Sequence, residues 1–180
     1  MPRKADYVFG NKFILPKGRV VHPYLVEPNN DPTYGKGKFM LRVVCAKDFD
    51  YSKLDADIDR IIETHWEGAK TRKDLKLPYN DGDGKGKEMY AGSYYFNPKS
   101  GQAPDVYDRK GNRISADEIY AGCWARVCVT PYTYPTGSPP GVALRISSIM
   151  FWADDEPLSS ADTTQDFASV LEDGEDLEDY

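Results

Sequence analysis

A short stretch in the second half of the chain alternates between apolar and functional side chains. In residues 122–130, positions 125, 127 and 129 are small and apolar, whereas Trp124 and Arg126 fall on the opposite face of the predicted strand. An indole ring offers a flat face for stacking on a base, and a neighbouring guanidinium pairs with phosphate or with the ring itself. The pattern favours a platform for single-stranded nucleic acid, with packing of Trp124 beneath a helix as the alternative.

More aromatic rings are available to such a platform. Tyr132 and Tyr134 keep the parity of Trp124 into a proline-rich loop predicted over residues 131–141. A further group lies in the strand predicted at 89–97, where three aromatic residues are consecutive: Tyr94, Tyr95 and Phe96. At least one of these rings faces solvent while another fills the core, and the sequence leaves open which.

Basic side chains lie on strands or beside glycine-containing loops, where a backbone approaches phosphates closely. We expect seven of them, together with Arg126, to neutralise phosphates: Lys36, Lys38, Arg42, Lys85, Lys87, Lys99 and Arg145. Exposed lysines are ordinary surface residues. The prediction therefore depends on several of them converging on one surface.

Charge is divided unevenly along the chain. Residues 154–180 contain eleven acidic residues and no Lys or Arg, and the whole chain has a formal net charge of −6. Residues 1–153 consequently carry about +5. A basic body with an acidic tail is typical of a polyanion binder that carries its own competitor, although such tails also simply increase solubility. The tail is too charged to fold alone and is predicted to be disordered.

Catalytic and metal-binding patterns are weak. The chain has two histidines, and no serine or cysteine has a recognisable base beside it in the sequence. Cys123 and Cys128 point to opposite faces of one strand, unlike zinc ligands, and three cysteines in total argue against a disulfide framework. The glycine-rich loop over residues 81–87 lacks the spacing of a P-loop and the ligands of an EF-hand. We expect a non-catalytic protein with no metal and no cofactor.

Five predicted strands and one helix define the expected fold. The strands cover residues 19–26, 38–46, 89–97, 122–130 and 142–152. The helix starts at Ser52, with Asp55 completing a capping box, and its apolar residues recur at helical spacing through Ala69. Together with long loops, these elements predict a mainly β, five-stranded barrel of the oligonucleotide-binding (OB) type. The domain is expected over residues 1–153 and the acidic tail over 154–180.

Six segments of the chain, taken together with their order along it, resemble one family of proteins. The more specific are LPYNDGD at 77–83 and YAGCWARV at 120–127; the others are RVVHPYLVEP at 19–28, YAGSYYFNPKS at 90–100, PDVYD at 104–108 and GVAL at 141–144. The chain thereby resembles the bacteriophage single-stranded DNA-binding proteins with an OB fold. The resemblance implies non-catalytic, largely sequence-independent binding of single strands in phage replication or recombination.

The resemblance also implies a location and partners. We expect the cytoplasm of the bacterial host, no membrane contact, and single-stranded DNA as the ligand; self-association is left open. Many single-strand binders of replication end in an acidic segment tipped by an aromatic or apolar residue. The corresponding candidates for docking replication proteins such as polymerase or helicase are Phe167, Leu177, Glu178, Asp179 and Tyr180.

Two other classes of protein stay open at this point. A virion structural or assembly protein would use the acidic tail as a guard against premature assembly. A magnesium-dependent nuclease would use Asp81, Asp83 and Glu88 as metal ligands. Neither explains the pairing of a basic, aromatic face with an acidic tail as directly.

Overall fold

The computed structural model describes residues 7–158. Most of the predicted acidic tail therefore lies outside the described residues, and so do all five of its candidate partner contacts: Phe167, Leu177, Glu178, Asp179 and Tyr180. The division into a domain over 1–153 and a tail over 154–180 stays a prediction.

The described part is mainly β with one α-helix, as predicted. The helix, α1, covers Ser52–Trp66. The strands are β1 (Phe13–Ile14), β2 (Gly18–Asn29), β3 (Lys38–Ala46), β4 (Tyr79–Asp81), β5 (Ser93–Phe96), β6 (Lys99–Ser100), β7 (Asp105–Tyr107), β8 (Arg113–Ile114), β9 (Trp124–Tyr134) and β10 (Gly141–Ala153). Single 3₁₀ turns lie at Arg72–Asp74, Gly82–Lys85, Glu88–Tyr90 and Ala116–Glu118.

Five strands pair in a closed ring. β2 pairs with β3, β3 with β6, β6 with β10, β10 with β9, and β9 with the start of β2; only the β6–β10 pair is parallel. Closing the ring leaves its strands few unpaired edges and encloses the inward side chains. The five-strand ring agrees with the predicted topology, and β4, β7 and β8 pair at its margins.

The third predicted strand is shorter and interrupted. β5 and β6 pair with β3 in one continuous register, since Phe96 lies opposite Val43 and Ser100 opposite Phe39. The turn at Glu88–Tyr90 replaces the predicted start of this strand. Proline has no amide hydrogen to donate to a ladder, and the interruption falls at Pro98.

The predicted loop over 131–141 is shorter than expected. β9 continues through Tyr134, pairs with β10 as far as Gly141, and places Tyr132 and Tyr134 on the strand itself. The alternation that begins at Trp124 persists, because even-numbered positions of β9 are partly exposed and odd-numbered ones are buried. Both tyrosines are therefore held by sheet pairing.

The helix packs on the ring but has no capping box. Its N-cap is Tyr51 without a side-chain cap hydrogen bond, and the Ser52 amide instead donates to the Asp50 carboxylate at 3.0 Å. The helix ends at Trp66, because Glu67 adopts a left-handed conformation. Four residues of its inner face are buried in the core: Leu54, Ile58, Ile61 and Ile62.

A buried polar contact joins the helix to the far end of β9. His65 Nδ1 lies 2.8 Å from the hydroxyl of Thr133, which is fully buried. Thr133 sits between Tyr132 and Tyr134, so the helix fixes the backbone from which both tyrosines project.

Candidate nucleic-acid interface

A groove crosses the outer faces of β3, β6, β9 and β10. Its larger section has a volume of about 620 Å³ and the adjoining section about 460 Å³; the two share Lys99, Tyr132 and Tyr134. Six aromatic residues line the groove: Tyr7, Phe9, Tyr24, Tyr34, Tyr132 and Tyr134. Five strongly basic residues line it as well: Lys38, Arg42, Lys76, Lys99 and Arg145.

Acidic side chains are absent from the lining of the groove among residues 7–158. The chain as a whole carries 29 acidic against 23 basic residues, so the groove is a local departure from the overall charge. A concave surface with charges of one sign concentrates the field and attracts ions of the opposite sign. The groove therefore suits a polyanion.

The centre of the groove is a lysine cluster. Lys99 is half-buried on β6, and its ammonium group donates to the backbone carbonyl of Tyr34 at 3.1 Å. Burial, and then the charges of Lys36, Lys76 and Lys38, lower the pKa of Lys99 from its ordinary value. Mutual repulsion of this kind is relieved when a phosphate enters, so the cluster is arranged for an anion.

Arg42 organises one end of the groove. Its Nε donates to Asn97 Oδ1 at 2.8 Å, and its guanidinium lies 4.5 Å from the ring centroid of Tyr95. The ammonium of Lys85 lies over the same ring at 5.0 Å. Burial, and then the charges of Arg42, Lys87 and Lys85, lower the pKa of His22. Four predicted DNA-binding residues therefore lie near one another at this end: Arg42, Lys85, Lys87 and Tyr95.

The structure resolves which of the three consecutive aromatic residues face outward. Tyr95 lies on the Arg42 side, whereas Tyr94 packs with Tyr51 and Tyr79 on the opposite side of the sheet, at centroid distances of 5.6 and 5.2 Å. Phe96 is 1% exposed and belongs to the core. A fully buried ring cannot stack on a base, so the inclusion of Phe96 among the DNA-binding residues was wrong.

Trp124 and Arg126 lie outside the groove, at the opposite end of β9 from Tyr132 and Tyr134. The Trp124 indole donates to the Asp155 carboxylate at 2.9 Å, and Lys17 lies 5.6 Å from the ring centroid. Arg126 donates through Nε to the Leu15 carbonyl at 2.9 Å. Both side chains are only partly buried and alternate with the buried residues of β9. The role of Trp124 in binding stays a prediction.

Residues 154–158 fold back onto the body beside Trp124. Tyr120 donates its hydroxyl hydrogen to Asp154 at 2.7 Å, and Arg19 donates to the Glu156 carbonyl at 3.1 Å. The Leu158 amide donates to the Ala121 carbonyl at 2.8 Å, and its side chain packs on a small cluster that includes Tyr90. The acidic segment therefore starts from a fixed point near the Arg42 end of the groove.

The glycine-rich loop after β4 carries Lys85 and Lys87. Its two aspartates are engaged by one lysine, because Lys47 Nζ lies 2.7 Å from Asp81 and 2.6 Å from Asp83. These contacts lower the pKa values of both carboxyl groups. Within residues 7–158, no group of three or more His, Cys, Asp or Glu side chains is arranged to hold a metal ion.

Sequence reasoning missed four of the six aromatic residues that line the groove: Tyr7, Phe9, Tyr24 and Tyr34. Tyr24 and Tyr34 are 41% and 71% exposed, yet neither was a candidate. Tyr24 lies after an irregularity in the β2–β3 register at His22, whose φ is 49°. Such a bulge changes which face the following residues occupy. A histidine–proline pair inside a predicted strand was the available signal.

A closed ring of strands crossed by a basic, aromatic groove is the architecture of oligonucleotide-binding proteins. The sequence model of the Enterobacter phage Enc34 ssDNA-binding protein family matches residues 11–179. The chain belongs to this family, which confirms the resemblance seen in the sequence.

Known proteins similar to the chain agree with this assignment. Protein p50 of Acyrthosiphon pisum secondary endosymbiont phage 1 is 27% identical over 159 residues, covering 79% of this chain and 84% of that protein. The single-stranded DNA-binding protein of bacteriophage Enc34, solved in complex with ssDNA, superposes with a TM-score of 0.67 at 23% identity, covering 87% of this chain and 91% of the other. The single-stranded DNA-binding protein gp2.5 of bacteriophage T7 gives 0.63 at 18% identity, covering 89% and 94%.

Within the described range, no helix has the length and apolar character needed to cross a bilayer.

Proposed function

We propose that this protein binds single-stranded DNA, without catalysis and largely independently of base sequence, and acts in phage DNA replication or recombination. One observation carries the proposal: the described groove combines five strong cations with six aromatic side chains and no carboxylate. The cations neutralise phosphates and the rings stack on bases, and neither interaction requires a particular base. Membership of the family supports the same ligand.

The aromatic residues favour single strands over duplex. In a duplex the base faces are stacked on one another, and only the base edges and the backbone are accessible. Tyr24, Tyr34, Tyr132 and Tyr134 line a recess, where an unpaired base can enter and stack. A stacked base contributes about 1–3 kcal/mol, so a few such contacts suffice for useful affinity.

The acidic tail is proposed to compete with DNA for the groove and to recruit replication proteins through its tip, residues 177–180. The fixed start of the tail supports the first role, since Leu158 packs near Tyr90 and Tyr95 at the Arg42 end. The eight acidic residues after position 158 are covalently joined to the chain at this point. An anionic segment tethered beside a basic groove acts at high effective concentration.

Binding of labelled dT oligonucleotides, followed by fluorescence anisotropy over a salt series, tests the proposal. With five phosphates neutralised, we expect log affinity to fall against log salt with a slope of about −3.5, and a duplex of equal length to bind much more weakly. Equal affinity for duplex, or no binding at low salt, would contradict the proposal.

Tryptophan fluorescence in the same titration tests the predicted platform at Trp124. None of Trp66, Trp124 and Trp152 lines the groove, so quenching by dT indicates that the strand extends along β9 to the Trp124 end. Trp124→Ala, with its melting temperature measured, then separates loss of a DNA contact from loss of stability. Absence of quenching would restrict the DNA site to the groove.

A further inference from the structure

The segment before β1 runs antiparallel to β9 and follows it to the groove. Thr133 donates its amide hydrogen to the Val8 carbonyl at 2.9 Å, and the Gly10 amide donates to the Pro131 carbonyl at 2.7 Å. Phe9 lies opposite Tyr132 in an antiparallel bridge. We call residues 7–11 the strap. Its far end is held to the helix, where the Asn11 amide donates to Asp57 at 2.6 Å.

Close packing fixes the strap in this position. Gly10 passes between the helix and β9, and a Cβ atom there would lie 2.2 Å from an oxygen of Asp57 and 2.8 Å from Pro131 Cγ. The Val8 amide also donates to the buried Thr133 hydroxyl at 2.9 Å. Hydrogen bonds therefore hold the strap on β9, and the lack of a side chain at Gly10 permits the close approach.

This seating places two more aromatic rings at the end of the groove. Phe9 lies 5.7 Å from Tyr132 between ring centroids, with the planes inclined by 31°, and Tyr7 approaches both rings at 6.5 and 6.1 Å. Phe9 nevertheless remains 37% exposed. The same section of the groove is lined by Lys38 and Arg145, so an accessible ring lies beside two cations.

We propose that Phe9 and Tyr7 form an additional subsite that stacks one unpaired nucleobase, with Lys38 and Arg145 neutralising the adjoining phosphates. The proposal rests on the proposed function of the groove and extends its length. The family match begins at residue 11, so Tyr7 and Phe9 lie outside the matched residues.

Variants at Phe9 test the subsite in the full chain. Phe9→Leu keeps an apolar side chain against Tyr132 and removes the aromatic face, whereas Phe9→Tyr keeps the ring. Phe49→Ala is a matched control, because Phe49 is 36% exposed, lies outside the groove and also packs against other rings. Melting temperatures establish that each variant is folded. The probe is a series of labelled dT oligonucleotides spanning about 4 to 16 nucleotides, the range that single OB folds cover.

The dependence of affinity on length gives the result. For the unmodified protein we expect affinity to rise with length to a plateau; in Phe9→Leu the plateau comes about one nucleotide earlier and is weaker by about 5- to 20-fold, with shorter oligonucleotides unaffected. Phe9→Tyr and Phe49→Ala should match the unmodified protein. An unchanged plateau in Phe9→Leu, or equal weakening at every length, overturns the subsite while leaving the proposed function intact. Failure of the unmodified protein to bind dT removes both.

Discussion

Lys99 lies opposite Arg145 in the β6–β10 pair and opposite Met40 in the β3–β6 pair. Its position illustrates how a side chain acquires a function from its neighbours. Lysine on an exposed strand is ordinary, but here burial and three further lysines lower its pKa. A charge held under repulsion gains more from a phosphate than an isolated surface charge does.

We expect DNA affinity to fall with rising pH because of Lys99. Phosphate binds the protonated amine, so its contribution is complete below the lowered pKa of the free protein and is lost as the pH rises through and above that value. Lys99→Arg should flatten this alkaline decline, since arginine stays protonated, and Lys99→Ala should reduce the steepness of the salt dependence by about 0.7. Anisotropy titrations at several pH values measure both effects.

Lys110→Ala provides the control for Lys99, because Lys110 is exposed in the turn between β7 and β8 and does not line the groove. It should leave the pH profile and the salt dependence unchanged. A Lys99→Arg profile as steep as that of the unmodified protein would mean that another group titrates.

At the scale of elements, two irregularities supply groove residues. The bulge at His22 turns Tyr24 outward in the middle of β2. A parallel bridge between Lys76 and Gly141 brings the segment before β4 to the start of β10, where the Lys76 amide donates to the Pro140 carbonyl at 3.0 Å. Bulges and bridges of this kind re-aim side chains without changing the ring.

The loop that carries Lys85 and Lys87 depends on Gly82. A Cβ atom at Gly82 would lie 2.3 Å from the Tyr90 carbonyl oxygen and 2.6 Å from that of Ser93, and both are backbone atoms. We expect Gly82→Ala to lower the free energy of unfolding by about 2 kcal/mol and to weaken DNA binding by displacing both lysines. Urea unfolding and anisotropy titration measure the two effects.

Gly84→Ala is the matched control within the same loop, because a Cβ atom there meets nothing within 4 Å. It should change stability by less than about 0.5 kcal/mol. If the two variants behave alike, the loop is not fixed by the close approach at Gly82.

At the scale of the whole molecule, the organising feature is the separation of charge. The basic groove and the acidic tail are joined through residues 154–158, which Tyr120, Trp124 and Arg19 hold against the body. Asp155 accepts from Trp124, and this contact lowers the pKa of its carboxyl group. The first residues of the acidic segment, 154–158, are therefore held at a defined place on the described part of the chain.

Truncation of the chain tests the proposed competition. A chain ending at residue 158 loses eight acidic residues but keeps the docked segment. We expect it to bind dT more tightly than the full chain at low salt, with the difference shrinking as salt increases. A chain ending at residue 153 should show the same gain in affinity for dT. Any additional change in affinity would be due to the loss of residues 154–158.

Anisotropy titrations of the truncated and full chains at several ionic strengths test whether the tail competes with DNA. Replacement of the same eight acidic residues by Asn and Gln at constant length separates charge from steric obstruction. Unchanged affinity at low salt would remove the competitor role.

The sequence by itself determined the mainly β class, the single helix, the charge asymmetry and the family. The first three follow from local alternation, helical spacing and composition, which need no knowledge of distant contacts. The family came from the resemblance of several sequence segments and was confirmed by the family match. It also identified most of the groove cations. Lys38, Arg42 and Arg145 lie on strands whose polar face could be read from parity, and Lys99 was a candidate because it lies beside a glycine-containing loop.

Only the tertiary structure decided which of these residues share a surface. Strand parity predicts that Tyr132 and Trp124 lie on the same face of β9. In the structure, Tyr132 lies in the groove beside the strap, whereas Trp124, at the other end of the strand, contacts Asp155 of the acidic segment. Five further residues reach the groove through irregular parts of the fold. A bulge brings Tyr24 there, a loop brings Tyr34, a bridge brings Lys76, and the strap brings Tyr7 and Phe9. Each of these depends on pairing between residues far apart in the chain, and local sequence preference does not specify such pairing.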